Sequence, residues 1–388
     1  MERWRELRPA GRGAIWGLLL APFRLWLYLW RGRNVLQAVW ILLHHCWAHR
    51  PSSWDPQSCP TTLTGMTAVV TGATSGIGKQ VALELAQRGA RVVLACRDLT
   101  RGQEALDEIR AATGCGPRRL LLREVDLGSL ASVRAFAARL LAELPQIHLL
   151  VNNAGVYGLV AKSPDGLNLT IATNYLGPFL LTNLLLEGLR RADRARIVNV
   201  SSFREKFGFI DEGYLSGGGV RLTPQQSYDC SKLLLLAFTS QLARHLQGTG
   251  VTVNAADPGL VVTNITRNLG RTWKLLLYLL RPFFKSPAQG ARSILYCCLA
   301  QEVEGVTGKF FGNNCTLQQP AAPARDPVLA RSVWTASCRL TGLSPPAVSM
   351  GQPPRLPWPT LGTPQRSRVR KKSTLPGIAH PGTRGGNK

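Results

Sequence analysis

The sequence predicts an α/β fold: a doubly wound, seven-stranded parallel sheet in a single domain. Three observations predict it. Seven short apolar runs rich in β-branched residues recur along the chain, helical periods separate them, and a glycine-rich turn follows the first run. The runs are "MTAVVT" (66–71), "RVVLAC" (91–96), "LLLREVDL" (120–127), "IHLLVNN" (147–153), "ARIVNVS" (195–201), "VTVNAA" (251–256) and "GKFF" (308–311). Between them, "GKQVALELAQRG" (78–89) and "LASVRAFAARLLAEL" (130–144) repeat apolar residues at helical spacing. Strands that alternate with helices imply a parallel sheet covered on both faces, and right-handed crossovers then wind it in two directions.

The chain of 388 residues is 45% hydrophobic, enough for a sizeable core. It reads as three regions: 1–60, 61–343 and 344–388. The formal net charge is +25 and is uneven. Residues 345–388 hold eight Lys/Arg and no acid, residues 1–60 hold eight Arg against three acids, and the middle keeps +12. The last region is rich in Pro, Gly and Ser and lacks apolar periodicity, so disorder is expected there. A basic tail suits anionic lipid or a polyanion, or is simply solvated. No aromatic interleaving or module supports nucleic-acid binding. In the first region, "GAIWGLLLAPFRLWLYLW" (13–30) is apolar and aromatic but interrupted by Pro22 and Arg24. A spanning helix wants about 20 apolar residues. An interfacial anchor, a span and a targeting segment all remain open, and membrane contact is expected. The nine cysteines are irregularly spaced, with no disulfide or metal pattern, and read as reduced thiols.

The turn "VVTGATSGIGK" (69–79) places Gly72, Gly76 and Gly78 between the first strand and a helix. Glycines there permit a tight turn and close backbone approach to a pyrophosphate, which the helix N-terminus then receives. The spacing is G-x-x-x-G-x-G, and no Walker ending follows. The second strand ends in "LACRD" (94–98). An acid at this strand's end would hold a ribose 2′-hydroxyl. Here Arg97 stands in that neighbourhood and would pair with a 2′-phosphate, with Lys79 adding charge. The reading is NADP(H) over NAD(H), against the alternative of two solvated surface cations.

Tyr228 and Lys232 in "QQSYDCSKLLLL" (225–236) lie one helical turn apart. Reducing a carbonyl needs a hydride and a proton. A tyrosine with a pKa of roughly 10 donates better when an adjacent cation favours the tyrosinate, and lowering that value by about three requires roughly 4 kcal/mol. Alone, the pair also fits a buried-edge tyrosine and a solvated lysine.

With the glycine turn, "VDL" (125–127), "NNAG" (152–155) and "NVSS" (199–202) in the same order, the sequence resembles the short-chain dehydrogenase/reductase family over about residues 64–343. It is most similar to the retinol dehydrogenase branch, in "ACRD", "NYLGPFLLTNLLL" (174–186), "DPGLVVTNI" (257–265) and "VWTASCRLTGL" (333–343). The resemblance implies a Rossmann fold, a single catalytic domain, and hydride exchange between NADP(H) and a hydrophobic alcohol or its aldehyde or ketone. It implies Tyr228 as the proton donor and Lys232 as its tuner and ribose ligand. Ser202 would steady the substrate oxygen, with Ser201 the fallback, and Asn174 would complete a proton relay. It further implies that Ser75 and Ile77 join the glycine turn in holding the cofactor. Asp126 would contact adenine, and Asn153, Ala154 and Gly155 would lie beneath the cofactor. Pro258, Gly259 and Thr263 would cover it.

The 24 residues 203–226 that follow Ser202 are expected to form a loop at the pocket mouth, flexible at "SGGG" (216–219). "RNLGRTWKLLLYLLRPFFKSPAQGA" (267–291) reads as an apolar lid edged with cations, able to enclose a greasy substrate and rest on a membrane surface, or as a helix with a core face. A retinoid, steroid or lipid aldehyde fits such a lid. The expected setting is a membrane, most readily the endoplasmic reticulum with the catalytic domain toward the cytosol, or the mitochondrion. A homodimer through the helices carrying Asn174 and Tyr228 is a further expectation. The competing class is a cofactor-binding scaffold at a membrane without useful turnover, which the intact Ser-Tyr-Lys-Asn set argues against.

Overall fold

The computed structural model describes residues 54–215, 221–268 and 270–344. The anchor expected before residue 54 and the basic tail after 344 lie outside the described residues, as does the "SGGG" stretch.

The sheet has eight strands in the order β3-β2-β1-β4-β5-β6-β7-β8. They are β1 (Thr67–Thr71), β2 (Arg91–Cys96), β3 (Leu120–Glu124), β4 (Leu149–Asn152), β5 (Ala195–Val200), β6 (Val251–Ala256), β7 (Phe310–Phe311) and β8 (Leu317–Gln318). The first seven are parallel, as expected. The difference is β8, a two-residue antiparallel strand on β7, with Phe310 opposite Gln318 and Phe311 opposite Leu317. Its two side chains are exposed, so it carries no apolar signature by which the sequence would reveal it.

Every residue of β1 and β4 is buried, and all of β2 but Arg91. Continuous apolar runs are what a parallel sheet with two covered faces requires. One cover consists of α1 (Gly76–Gln87), α2 (Leu99–Thr113) and α7 (Pro287–Leu299), packed through Val81, Leu85, Leu106, Ile109, Ile294 and Leu295. The other consists of α3 (Leu130–Glu143), α4 (Leu169–Arg190) and α5 (Pro224–His245). A short α6 (Arg271–Leu279) precedes α7, and α8 (Pro327–Thr341) packs on α5. Among the described residues only α4 is long and apolar enough to cross a membrane, but 72% of its apolar window is buried inside the protein. It is a core helix.

Strand order reverses between β1 and β4, because the chain winds outward from β1 to β3 and returns to β4. The C-terminal ends of those strands diverge there, and an open α/β sheet binds its ligands in that crevice.

Candidate active site

A cavity of about 390 Å³ occupies the crevice, walled by the glycine turn, the ends of β2 and β4, the start of α5 and the segment after β6. The turn is held from below. Thr71 Oγ accepts the backbone N–H groups of Asn153 (3.0 Å) and Ala154 (3.1 Å), and the Asn153 amide donates to the Thr71 carbonyl at 2.9 Å. This stitching locks β1 to β4 at the switch point. Gly72 has φ +68°, and a Cβ there would stand 2.8 Å from Ala154 Cα. At Gly78 a Cβ would stand 2.4 Å from the Gly72 carbonyl oxygen, so that glycine serves close helix–strand packing as much as any ligand.

The donor set fits a dinucleotide. The N-cap of α1, Ser75, makes no side-chain capping bond, whereas Asp98, Ser129 and Thr223 cap α2, α3 and α5. The first-turn N–H groups of α1 are thereby left for an anion. At Gly155 a Cβ would project to 3.6 Å from Asn174 Oδ1 and 3.7 Å from Lys232 Nζ, so glycine leaves that floor clear.

Of the residues expected to touch the cofactor, Gly72, Ser75, Gly76, Ile77, Gly78, Arg97, Asp126, Asn153, Ala154, Gly155, Tyr228, Lys232, Pro258 and Thr263 all border the cavity. Gly259 does not. It sits at φ +78° and donates its N–H to Asp257 Oδ1 (2.9 Å), shaping the loop instead. Lys79 is also absent from the cavity wall: it is ion-paired with Glu108 on α2. Arg101, one turn into α2, borders the cavity alongside Arg97. The sequence reading missed it because Arg101 lies on a helix face that only docking against β2 turns inward. Asp98 is engaged as the α2 N-cap, accepting from Arg101 N at 3.1 Å.

α5 begins with a capping box, Thr223 and Gln226 exchanging hydrogen bonds around Pro224. This sets the register that turns Tyr228 and Lys232 to the crevice. Lys232 is 3% exposed, and its ammonium donates to the Val200 carbonyl at 2.8 Å. Its Nζ lies 5.5 Å from the Tyr228 ring centre. Burial lowers the lysine to about 8, against the pull of Asp257. The phenol of Tyr228 is hydrogen-bonded to Ser202, and burial pushes it above its usual value, opposed by Ser202 and by the Arg204 charge. The sequence reading expected the opposite direction. That expectation counted on the Lys232 cation and the oxidised nicotinamide beside the phenol, whereas burial is the larger effect in the protein alone.

Ser202 and Asn174 do not border the cavity itself. Ser202 reaches it through Tyr228, while Ser201 is committed to the Lys232 carbonyl at 3.1 Å. Asn174 sits in a π-helical turn of α4, Ala172–Leu176. Its Oδ1 accepts Val156 N–H (2.8 Å), and its Nδ2 donates to the Val156 carbonyl (3.0 Å) and to Ser231 (3.1 Å). It therefore clamps the loop just past Gly155, beyond the end of β4. A π-turn widens the helix at that point, as such turns often do at functional sites.

Three further residues escaped the sequence reading. The Tyr157 ring meets Tyr228 edge-on at 5.0 Å. Arg204 and Asp229 form a bidentate pair, Nε to Oδ1 at 2.6 Å and a terminal nitrogen to Oδ2 at 2.7 Å, directly beside the tyrosine. The only available signal was that Asp229, immediately after Tyr228, is the sole acid of that helix. The segment after Ser202 is also more packed than a loose loop: Glu205, Ile210, Tyr214 and Leu215 are all buried.

Glu205 carries a prediction. It is fully buried, Oε2 accepts Ala321 N–H at 3.1 Å, and Oε1 has no partner. Burial raises its carboxyl to about 7. The folded chain then binds a proton that the unfolded chain has already lost, so stability falls as pH rises from the ordinary carboxylate range through about 7. Glu205→Gln is expected to remove this slope, with little change in Tm at pH 5 and a higher Tm than the parent at pH 8. Equal Tm differences at both pH values would refute it.

Comparison with known proteins agrees with the geometry. A family model described as short chain dehydrogenase matches residues 66–274. Mouse retinol dehydrogenase 12 is 45% identical over 285 residues, covering 72% of this chain and 88% of that protein. Human retinol dehydrogenase 13 is 40% identical over 308 residues, covering 77% and 92%. A crystal structure of an uncharacterized Mycobacterium paratuberculosis protein superposes with a TM-score of 0.60 at 33% identity, covering 75% of this chain and 98% of that one. With the parallel sheet, the glycine turn and the Tyr228–Lys232 pair in one crevice, the chain belongs to the short-chain dehydrogenase family, in its retinol dehydrogenase branch.

Proposed function

We propose that the protein interconverts a hydrophobic alcohol and its aldehyde or ketone, using NADP(H). The observation that carries this reading is the convergence of Tyr228, hydrogen-bonded to Ser202 and within reach of Lys232, on the cavity that the glycine turn opens. The cofactor, when bound, supplies or accepts the hydride. Tyr228 gives or takes the proton at the substrate oxygen, Ser202 donates a hydrogen bond to that oxygen, and Lys232 keeps a positive charge beside the phenol. Asn174 holds Val156, and with it the floor at Gly155, in place. Arg97 and Arg101 support the 2′-phosphate preference, since two guanidinium groups border the adenosine end of the cavity and neither meets an acid across an ion pair among the described residues. Similarity to retinol dehydrogenases supports a retinoid-like substrate. The apolar run 13–30 supports attachment to a membrane.

The test is oxidation of NADPH and of NADH by the purified full chain with retinal, steroid ketones and long-chain aldehydes. Turnover is expected with NADPH in preference to NADH. Arg97→Ala is expected to raise the KM for NADPH about tenfold, the low end for a charge-assisted hydrogen bond, and to leave the KM for NADH unchanged. Equal loss with both cofactors would refute the 2′-phosphate role. Tight NADPH binding without turnover on any carbonyl would favour a membrane-bound scaffold.

A further inference from the structure

Nine large hydrophobic side chains are exposed among the described residues, and four of them fall within nine consecutive positions. They are Leu275 (61% exposed), Tyr278 (67%), Leu279 (64%) and Phe283 (62%). The first three stand at i, i+3 and i+4 on α6 and so form one ridge. Such a concentration marks an interaction surface rather than ordinary scatter.

The rim of that ridge is basic. Arg267, Arg271, Lys274 and Arg281 are all exposed, and none joins an ion pair among the described residues. No Asp or Glu occurs between Asp257 and Glu302. An apolar ridge flanked by exposed cations, in a stretch of chain without acids, is complementary to one kind of surface. A bilayer takes the apolar side chains into the headgroup–acyl boundary, while its anionic headgroups meet the cations. The ridge also adjoins the active site: Thr263, Asn264, Ile265 and Arg267, just before α6, border the cavity.

We propose that α6 and its flanks, residues 267–283, form a membrane-docking surface for anionic bilayers, separate from the apolar run 13–30. Docking there sets the cavity rim against the phase in which an apolar substrate dissolves. The charged rim makes the contact selective for anionic lipid, and the ridge gives it depth.

The experiment is amide hydrogen exchange on the full chain in nanodiscs of phosphatidylcholine alone or with one part in three of phosphatidylserine. The readout is confined to residues 267–283, so attachment elsewhere in the chain does not mask it. Exchange in this segment is expected to slow severalfold in the anionic discs. The slowing should vanish in Arg271→Gln/Lys274→Gln, in Leu275→Glu/Leu279→Glu, and in about 1 M salt, where charges are screened beyond roughly 3 Å. Exchange of β1, β4 and β5 in the same samples reports whether each variant is folded, and either pair of substitutions suffices if the other unfolds. Equal exchange in the two lipids would overturn the proposal. So would protection that rises with protein concentration at fixed lipid, which would make the ridge a contact between copies of the chain.

Discussion

Replacing Tyr228 with phenylalanine is expected to lower kcat by about 10²- to 10⁴-fold, the range that a positioned proton donor supplies. The substitution removes one oxygen from a side chain that is 8% exposed and leaves its packing intact. The remaining ring still meets Tyr157 edge-on at 5.0 Å, and the Lys232 ammonium keeps its bond to Val200. Ser202 still accepts the Arg204 N–H at 3.3 Å. NADPH binding and Tm should therefore stay near the parent values, which separates a lost proton from a damaged fold. Steady-state kinetics, NADPH titration and thermal unfolding of the same preparation check it. A variant that turns over as fast as the parent would remove Tyr228 from the chemistry.

The second large effect is on stability. Arg204→Met is expected to cost about 3–5 kcal/mol, because it strands a carboxylate whose partner supplied both of its strong hydrogen bonds. The Asp229 side chain is 4% exposed and that of Arg204 20%, so water can reach the guanidinium side and the lower end of the range applies. Tm should fall by roughly 10 °C. Arg204→Met/Asp229→Leu should recover most of the loss, since apolar replacement of a buried pair is often neutral. The pH dependence has a definite sign. Burial already raises the Asp229 carboxyl, and Arg204 opposes that rise. Without Arg204 the folded-state value climbs further above the unfolded one. The deficit is then smallest in acid, where Asp229 is protonated in both states, and grows as pH rises. Denaturant unfolding of parent, single and double variants at pH 5 and pH 7.5 measures it. A single variant as stable as the parent at pH 7.5 would show the pair to be inert.

The pair also shows where reading the sequence stops. Arg204 and Asp229 are separated by 25 positions, including a stretch outside the described residues, and neither belongs to a periodic pattern. The glycine turn was legible because backbone geometry demands glycine locally: Gly72 and Gly76 both have positive φ. Thr71 was not legible. A strand threonine is unremarkable until folding brings the N–H groups of Asn153 and Ala154 to its hydroxyl. Lys79 and Arg101 exchanged expected places for a related reason. Glu108 on a neighbouring helix captured the lysine, and an ion pair between helices has no signature in the order of residues.

By itself, the sequence determined the alternation of strands and helices, the turn that opens the dinucleotide crevice, and the spacing that puts Tyr228 and Lys232 on one helix face. These are local matters, set by backbone sterics, apolar periodicity and a helical turn of 3.6 residues. Only the tertiary structure decided the antiparallel β8, the π-turn that brings Asn174 to Val156, the Arg204–Asp229 pair beside the tyrosine, and the exposed ridge of α6. Each of these depends on which distant surfaces meet and which are left facing outward, and the free energy of burial is settled only when they do.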